Sequence, residues 1–280
     1  MSYKTILVHV DVGAKAADRV EIAARLAETY DAHLVGVHAL TQIRPQGAAY
    51  AQAASINRLL QLDEAMKRAA VDSAKRSEAA FNEGVTRGGW PKVEWRASAR
   101  DASLVLPLHA RYADMVVIGQ AGREDTGVAA DLPDQIALTA GRPMLVVPYA
   151  GKIESIGQRV LVTWNASRES TRAVTDALPL LQRAKHVHVV SFNPDDGDHG
   201  DQPGADIGLW LARHGVKVDV SRQTVPNHDI GAQILSRAAD LGVDLIVSGA
   251  YGHSRVRELM LGGVTKVLLD SMTVPVMMSN

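Results

Sequence analysis

The sequence predicts an α/β protein made of two tandem open parallel-sheet domains, residues 1–150 and 156–280, and three observations lead there. The first is an internal repeat: "KTILVHVDVGAKAADRVEIAARLAETYDAHLVGVHAL" (4–40) has a counterpart in "QRVLVTWNASRESTRAVTDALPLLQRAKHVHVVSFNP" (158–194). The second is that the halves also close alike, "ADMVVIGQAG" (113–122) with "VDLIVSGAYG" (243–252), and "GRPMLVVPY" (141–149) with "MTVPVMMSN" (272–280). The third is that the strands are continuous apolar runs, such as Met115–Ile118 and Leu245–Val247, rather than in-and-out alternations. Such runs fit strands covered on both faces, hence a parallel sheet with right-handed helical crossovers.

Each half opens as strand, amphipathic helix, strand. In the first half "YAQAASINRLLQLDEAMKRAAVDSAKRSEAAFNEG" (50–84) is rich in Ala, Leu, Lys, Glu and Gln and predicts one long helix ended by Gly84. A strand around Val93–Ala97 and a helix around Ser103–Tyr112 lead into the run at 113–118. Trp90 and Trp95 flank that third strand, where their indoles would cover the long helix. The boundary falls at "YAGKIESIGQ" (149–158). The second half repeats the plan more briefly: a helix near Ile207–His214 holding Trp210, a strand at Lys217–Arg222, and a helix at Ile230–Leu241 stopped by Gly242. The strand openings at Lys4 and Gln158 lie 154 positions apart but Asp114 and Asp244 only 130, so the first half carries about 24 extra residues in its middle. The loop "NPDDGDHGDQPG" (193–204) has the composition of a solvated segment.

Composition excludes several functions. Lys plus Arg total 30 against 31 Asp plus Glu in 280 residues, interspersed, so no electrostatic grip on nucleic acid or an anionic membrane is expected. The absence of cysteine removes disulfides, thiolate metal sites and thiol nucleophiles. No run approaches the roughly 18 apolar residues of a membrane span, and the N-terminal run is too short for a signal-peptide core, so a soluble cytoplasmic protein is expected.

In doubly wound sheets ligands sit outside the carboxyl ends of the strands. In the second half the loops there supply Trp164–Ser167, Phe192–Asn193, Thr224–His228 and the stretch "GAYGHSRVRELMLGG" (249–263). Gly249 and Gly252 would let backbone amides approach an anion, and Gly262–Gly263 would open a helix whose free N–H groups and dipole favour negative charge. His253, Arg255 and Arg257 add positive charge. Glycine spacing alone fits a tight strand exit equally well.

Gly-x-x-Gly, nine residues, then Gly, on the last loop and helix of a small α/β unit, resembles the nucleotide-binding signature of the universal stress protein family. The likeness extends to "RVLVTWNASRESTRAV" and "DLIVSGAYGHS" and covers nearly all of both halves, as in a tandem member. The resemblance implies a Rossmann-like, adenine-nucleotide alpha-hydrolase-like fold and ATP, with Mg2+, as ligand of the second half. It implies Asn165 at the ribose, Phe192 at adenine, and Gly249, Gly252, His253, Gly262, Gly263, Val264 and Thr265 around the phosphates. It also implies that the closing strands "PMLVVP" and "PVMMSN" pair within the chain, with a homodimer compatible and a protein partner unidentified. Two positions depart from the family pattern: Gly263 stands where a Ser or Thr hydroxyl is usual, with Thr265 as the nearby substitute, and Asn165 stands where an acid is usual. The first half keeps Asp11 and Gly119–Gly122 but continues "REDTGVAADLPDQ", where Asp125, Asp131 and Pro133 disfavour phosphate, so no nucleotide is expected there.

Other chemistries carry weaker signals. No dinucleotide fingerprint, P-loop or nucleophile elbow occurs, and Ser167 and Ser170 read as helix-capping residues. His186 and His188 share a strand face but read as a strand-edge pair, and the acidic loop 195–201 lacks calcium-loop spacing, so no metal site is expected. His9 and His38 read as satisfied core or rim histidines, and Trp164 as a packing residue beside the ribose position. The expected function is a non-catalytic stress-response module, at most a slow ATP hydrolase, whose bound nucleotide changes a surface read by another protein. The alternative is an interaction module without nucleotide, responding through its protein surface or another small ligand.

Overall fold

The computed structural model describes residues 2–40, 56–121, 127–194, 204–226, 229–252 and 263–280, with the side chains of 56–59 left aside. The first half runs β1 (Thr5–His9), α1 (Ala16–Tyr30), β2 (His33–Leu40), α2 (Ile56–Gly88), β3 (Val93–Asp101), α3 (Ala102–Ala110), β4 (Met115–Gly119), α4 (Leu132–Thr139) and β5 (Met144–Val147). The second runs β6 (Arg159–Thr163), α5 (Arg168–Leu181), β7 (His186–Phe192), α6 (Ala205–Arg213), β8 (Val218–Gln223), α7 (Ile230–Asp240), β9 (Leu245–Gly249), α8 (Gly263–Ser271) and β10 (Val276–Ser279). The strands form one sheet in the order β3-β2-β1-β4-β5-β10-β9-β6-β7-β8. Neighbouring strands are parallel except at the seam, where β10 lies antiparallel to β5 with Met277 opposite Leu145.

The apolar runs bury both sheet faces, as parallel strands require. Ile6 and Val8 join the cluster containing α1, α2, α5 and α6 side chains, whereas Leu7 joins the cluster under α3, α4, α7 and α8. The repeat is also visible in one small device. Asp114 Oδ2 accepts hydrogen bonds from the backbone N–H of Lys4 (2.6 Å) and Thr5 (3.0 Å). Asp244 does the same for Gln158 (3.1 Å) and Arg159 (2.9 Å), so in each half the residue before the fourth strand fixes the start of the first.

The excess length of the first half resides in α2, 33 residues against 9 for its counterpart α6. The helix does not end at Gly84 as the sequence suggested; it continues to Gly88, with Gly89 at φ 71° beyond. Gly84 is an inter-helix contact instead. A Cβ there would lie 2.5 Å from the Ala17 carbonyl oxygen and 2.6 Å from Val20 Cβ, so only glycine lets α2 lie this close to α1. Trp95 packs against Phe81 of α2 with ring centroids 5.2 Å apart, while Trp90 donates to the Ala32 carbonyl (2.8 Å). Residues 50–55 of the predicted helix and the acidic loop 195–201 fall outside the described residues. No described helix is long and apolar enough to cross a membrane.

Candidate functional site

In each half the strand order reverses between the first and fourth strands, β1/β4 and β6/β9, so the loops leaving those strands flank a crevice at the carboxyl edge. The two crevices are lined differently.

In the second half Asn165 follows β6 and is exposed. Its Oδ1 accepts from the Ser167 N–H (3.2 Å) and hydroxyl (2.7 Å), an Asx turn that delivers the chain into α5. Ser167 caps α5 by accepting from the Ser170 N–H (3.2 Å). Ala166 between them takes φ 56°. Trp164 packs on the apolar cluster of the α5 face, and Phe192, the last residue of β7, packs on the opposite one. The glycine loop leaves β9 directly over the first turn of α5. A Cβ on Gly249 would lie 2.7 Å from both the Glu169 carbonyl carbon and the Ser170 nitrogen, so Gly249 is demanded by backbone approach. At Gly252 a Cβ would meet Glu169 Oε2 at 3.1 Å, which places a carboxylate beside the loop that sequence reasoning missed. Its position in the first turn of a helix, where a negative charge is favoured, was the available signal.

Gly263 opens α8 and is exposed, with nothing among the described residues within 4 Å of a Cβ built on it. Packing among the described residues therefore does not explain the missing hydroxyl. Thr265, the nearby substitute, is buried, and its hydroxyl accepts from the Tyr251 N–H (3.4 Å) inside the glycine loop, which leaves its own O–H to donate. Val264 packs against the α7/α8 cluster. His253 and Gly262 lie outside the described residues. Tyr251, at φ 59°, donates its phenol to Asp134 of α4, and burial first, then that carboxylate, pushes its pKa well above the ordinary tyrosine value. The reciprocal contact exists in the first half, where Gln120 donates to the Leu269 (2.9 Å) and Asp270 (3.2 Å) carbonyls at the end of α8. Each half's fourth-strand loop thus holds the other half's last helix.

In the first half the crevice is filled from within. Asp11, the counterpart of Asn165, and Arg19 of α1 are each 3% exposed and form an ion pair. Arg19 also donates from Nε to the His9 carbonyl (3.0 Å), and Asp11 Oδ1 accepts from the Gly13 N–H (2.7 Å). The guanidinium covers Gly119 so closely that a Cβ there would lie 2.3 Å from Nη1. The sequence argument placed the obstruction in Asp125, Asp131 and Pro133. Asp125 is outside the described residues, and Asp131 accepts from the Gln135 side chain (2.6 Å) at the start of α4. Arg19 was legible as a charge on the otherwise apolar stripe Ala16, Val20, Ala23, Ala27 of α1. At the equivalent place in the second half, the same 154 positions on, stands the buried Ala173.

His38 is satisfied, its ring nitrogens lying 3.1 Å from the Val10 carbonyl and 3.3 Å from the Ser73 hydroxyl. His9 is not: it is fully buried with neither ring nitrogen partnered among the described residues, and burial, the largest cause, pushes its pKa down to about 4. Directly beside the Asp11–Arg19 ion pair a cleft of about 710 Å³, lined by Arg19, Gly119 and Gln120 among others, opens between α1, the ends of β4 and β5, and residues 148–153. Of its lining cations, Lys15, Arg25 and Arg87 pair with Asp18, Glu21 and Glu83, and Arg19 with Asp11; Lys152 lines it as well.

Comparison with known proteins agrees with this duplicated architecture. A universal stress protein from Archaeoglobus fulgidus superposes with a TM-score of 0.67 at 16% identity, covering 98% of this chain and 94% of that one. A functionally unknown protein from Pseudomonas aeruginosa superposes at 0.57 and 15% identity, covering 98% and 92%. In sequence, the universal stress protein Slr1230 of Synechocystis is 26% identical over 171 residues, 59% of this chain and 57% of that relative's length. The profile of the Universal stress protein family matches twice, over residues 2–148 and 157–280, and the chain therefore belongs to that family as a tandem of two such domains.

Proposed function

We propose that the second half binds an adenine nucleotide, ATP with Mg2+, at the β6/β9 crevice and acts as a nucleotide-dependent interaction module of the stress response. The observation that carries this reading is Ala173. Where the first half fills its crevice with Arg19, the second places a methyl group, leaving Asn165 exposed beside the glycine loop. The residues fit such a ligand in type. Asn165 offers an amide that both donates and accepts at a ribose hydroxyl, and Phe192 an apolar edge at the end of β7. Gly249, Gly252, Gly262 and Gly263, with Val264, offer backbone N–H groups, Gly263 at the start of α8 where the helix dipole favours phosphate. His253 adds a donor from the same loop, and Thr265 holds the loop closed. Glu169 opposes a bare polyphosphate, so a magnesium complex, which carries less negative charge, is the form that suits the loop.

Titration of the purified chain with ATP and Mg2+ by calorimetry, with analysis of nucleotide released by heat, tests the reading. Saturable binding to the wild type, lost in Gly252→Asp, is expected, since the new carboxylate would join Glu169 beside the loop. Absence of both heat and copurified nucleotide in the wild type would sink it. That result would leave the second reading, an interaction module without nucleotide, which Glu169 and Gly263 favour.

A further inference from the structure

His186 and His188 project from the same face of β7, their ring centroids 4.2 Å apart. On the neighbouring edge strand β8, Asp219 stands in register with His188, and its Oδ2 lies 2.7 Å from His186 Nε2. One ligand atom from each residue falls within 4.8 Å of the others. The hydrogen bond between His186 and Asp219 accounts for those two groups. It leaves His188 unexplained, because its Nε2 is buried and has no hydrogen-bond partner among the described residues. Buried imidazole nitrogens are normally partnered, so an orphan nitrogen on a ring beside a His–Asp pair points to a missing ligand.

We propose that His186, His188 and Asp219 form a binding site for a divalent transition ion, zinc being the best match. Two imidazoles and one carboxylate are a borderline-soft donor set, which suits zinc, cobalt or nickel and does not suit magnesium or calcium, whose ligands are oxygens. Three protein ligands leave the fourth tetrahedral position to water. Bonds of about 2.0–2.1 Å would hold the ligand atoms about 3.3 Å apart, within the spread the side chains already have. Asp219 is 71% exposed on the sheet edge, so an ion reaches the site from solvent. Arg159 and Arg237 lie close enough to His188 to act on it electrostatically. The same two arginines weaken attraction for a cation, so an affinity in the micromolar range is expected rather than that of a structural zinc site.

The test is calorimetric titration of the full-length, chelator-treated chain with zinc chloride near neutral pH, with histidine ring 15N signals followed by NMR. One saturable event per chain should appear, moving the His186 and His188 signals. Affinity should fall about tenfold or more in His188→Ala, and similarly in Asp219→Asn, whose exposed position keeps the fold intact. Zinc binding of equal affinity in the wild type and both variants would overturn the proposal, because it would place the ion at another of the ten histidines. No saturation below about 100 µM would overturn it as well.

Discussion

The β1/β4 crevice and the β6/β9 crevice are framed by matching backbone, 154 positions apart where the first strand ends and 130 where the fourth does. One encloses a buried Asp11–Arg19 ion pair, and the other an exposed Asn165 beside Ala173. A doubly wound sheet leaves a gap at its switch point whether or not a ligand comes, and the gap's polar edges need partners. The first half supplies those partners from its own α1. The second half places Ala173 where Arg19 stands and leaves Asn165 exposed, the contrast on which the proposed binding rests.

If Arg19 truly replaces a ligand, removing it is the most damaging change in this comparison. Arg19→Met leaves the Asp11 carboxylate buried without its cation and should cost about 3–5 kcal/mol in urea-induced unfolding. Replacing both partners by apolar groups, Arg19→Met with Asp11→Leu, should restore most of that. A loss under about 1 kcal/mol for the single variant would mean that the pair does not hold the first crevice together.

A second difference concerns the residue at the end of the first strand. His9 is buried without a partner among the described residues, whereas its counterpart Thr163 donates to the Ser248 hydroxyl (2.9 Å). Burial lowers the folded pKa of His9 from 6.5 to about 4, opposed by Asp11 and assisted by Arg19 and His38. The neutral ring's contribution is therefore complete above pH 6.5 and is lost as pH falls toward 4, about 3 kcal/mol in all. Unfolding free energies across that window should fall more steeply for the wild type than for His9→Thr. Parallel slopes would show that His9 takes up its proton in the fold as readily as in the unfolded chain.

The smallest expected effect sharpens the second crevice. Gly263→Ser has open space for its side chain and would return a hydroxyl to the start of α8. One added hydrogen bond of about 0.5–1.5 kcal/mol should tighten binding of ATP with Mg2+ by about three- to tenfold. Unchanged affinity would place the phosphates elsewhere.

The architecture was legible because parallel strands buried on both faces must be apolar throughout, and because the duplication aligned the halves on Asp114 and Asp244. The long helix was legible too, but its end was misread, since a glycine that stops a helix and one that admits a neighbouring helix look alike in sequence. Gly84 is the latter. The positions of Asn165 and Gly249 followed from strand order, whereas Arg19 and Glu169 did not. Whether a charged residue in a helix's first turn faces solvent, a neighbouring loop or a partner depends on packing, and the apolar stripe of α1 gave only a hint. The orphan nitrogen of His188 was likewise invisible, because the alternation of β7 shows which face it shares but not what stands opposite on β8.

The seam between β5 and β10 has a consequence for assembly. Met277 meets Leu145 inside one chain, so the antiparallel pairing forms by loop closure rather than by collision of separate molecules. Its effective concentration is set by the segment joining the halves, Pro148 to Gln158, and not by how much protein the solution holds. The reciprocal grips of Tyr251 on Asp134 and of Gln120 on α8 therefore persist at any dilution. A chain that carries both sides of this interface keeps the loop after β9 braced even when it is scarce, and the half that holds the Asp11–Arg19 pair serves as that permanent brace.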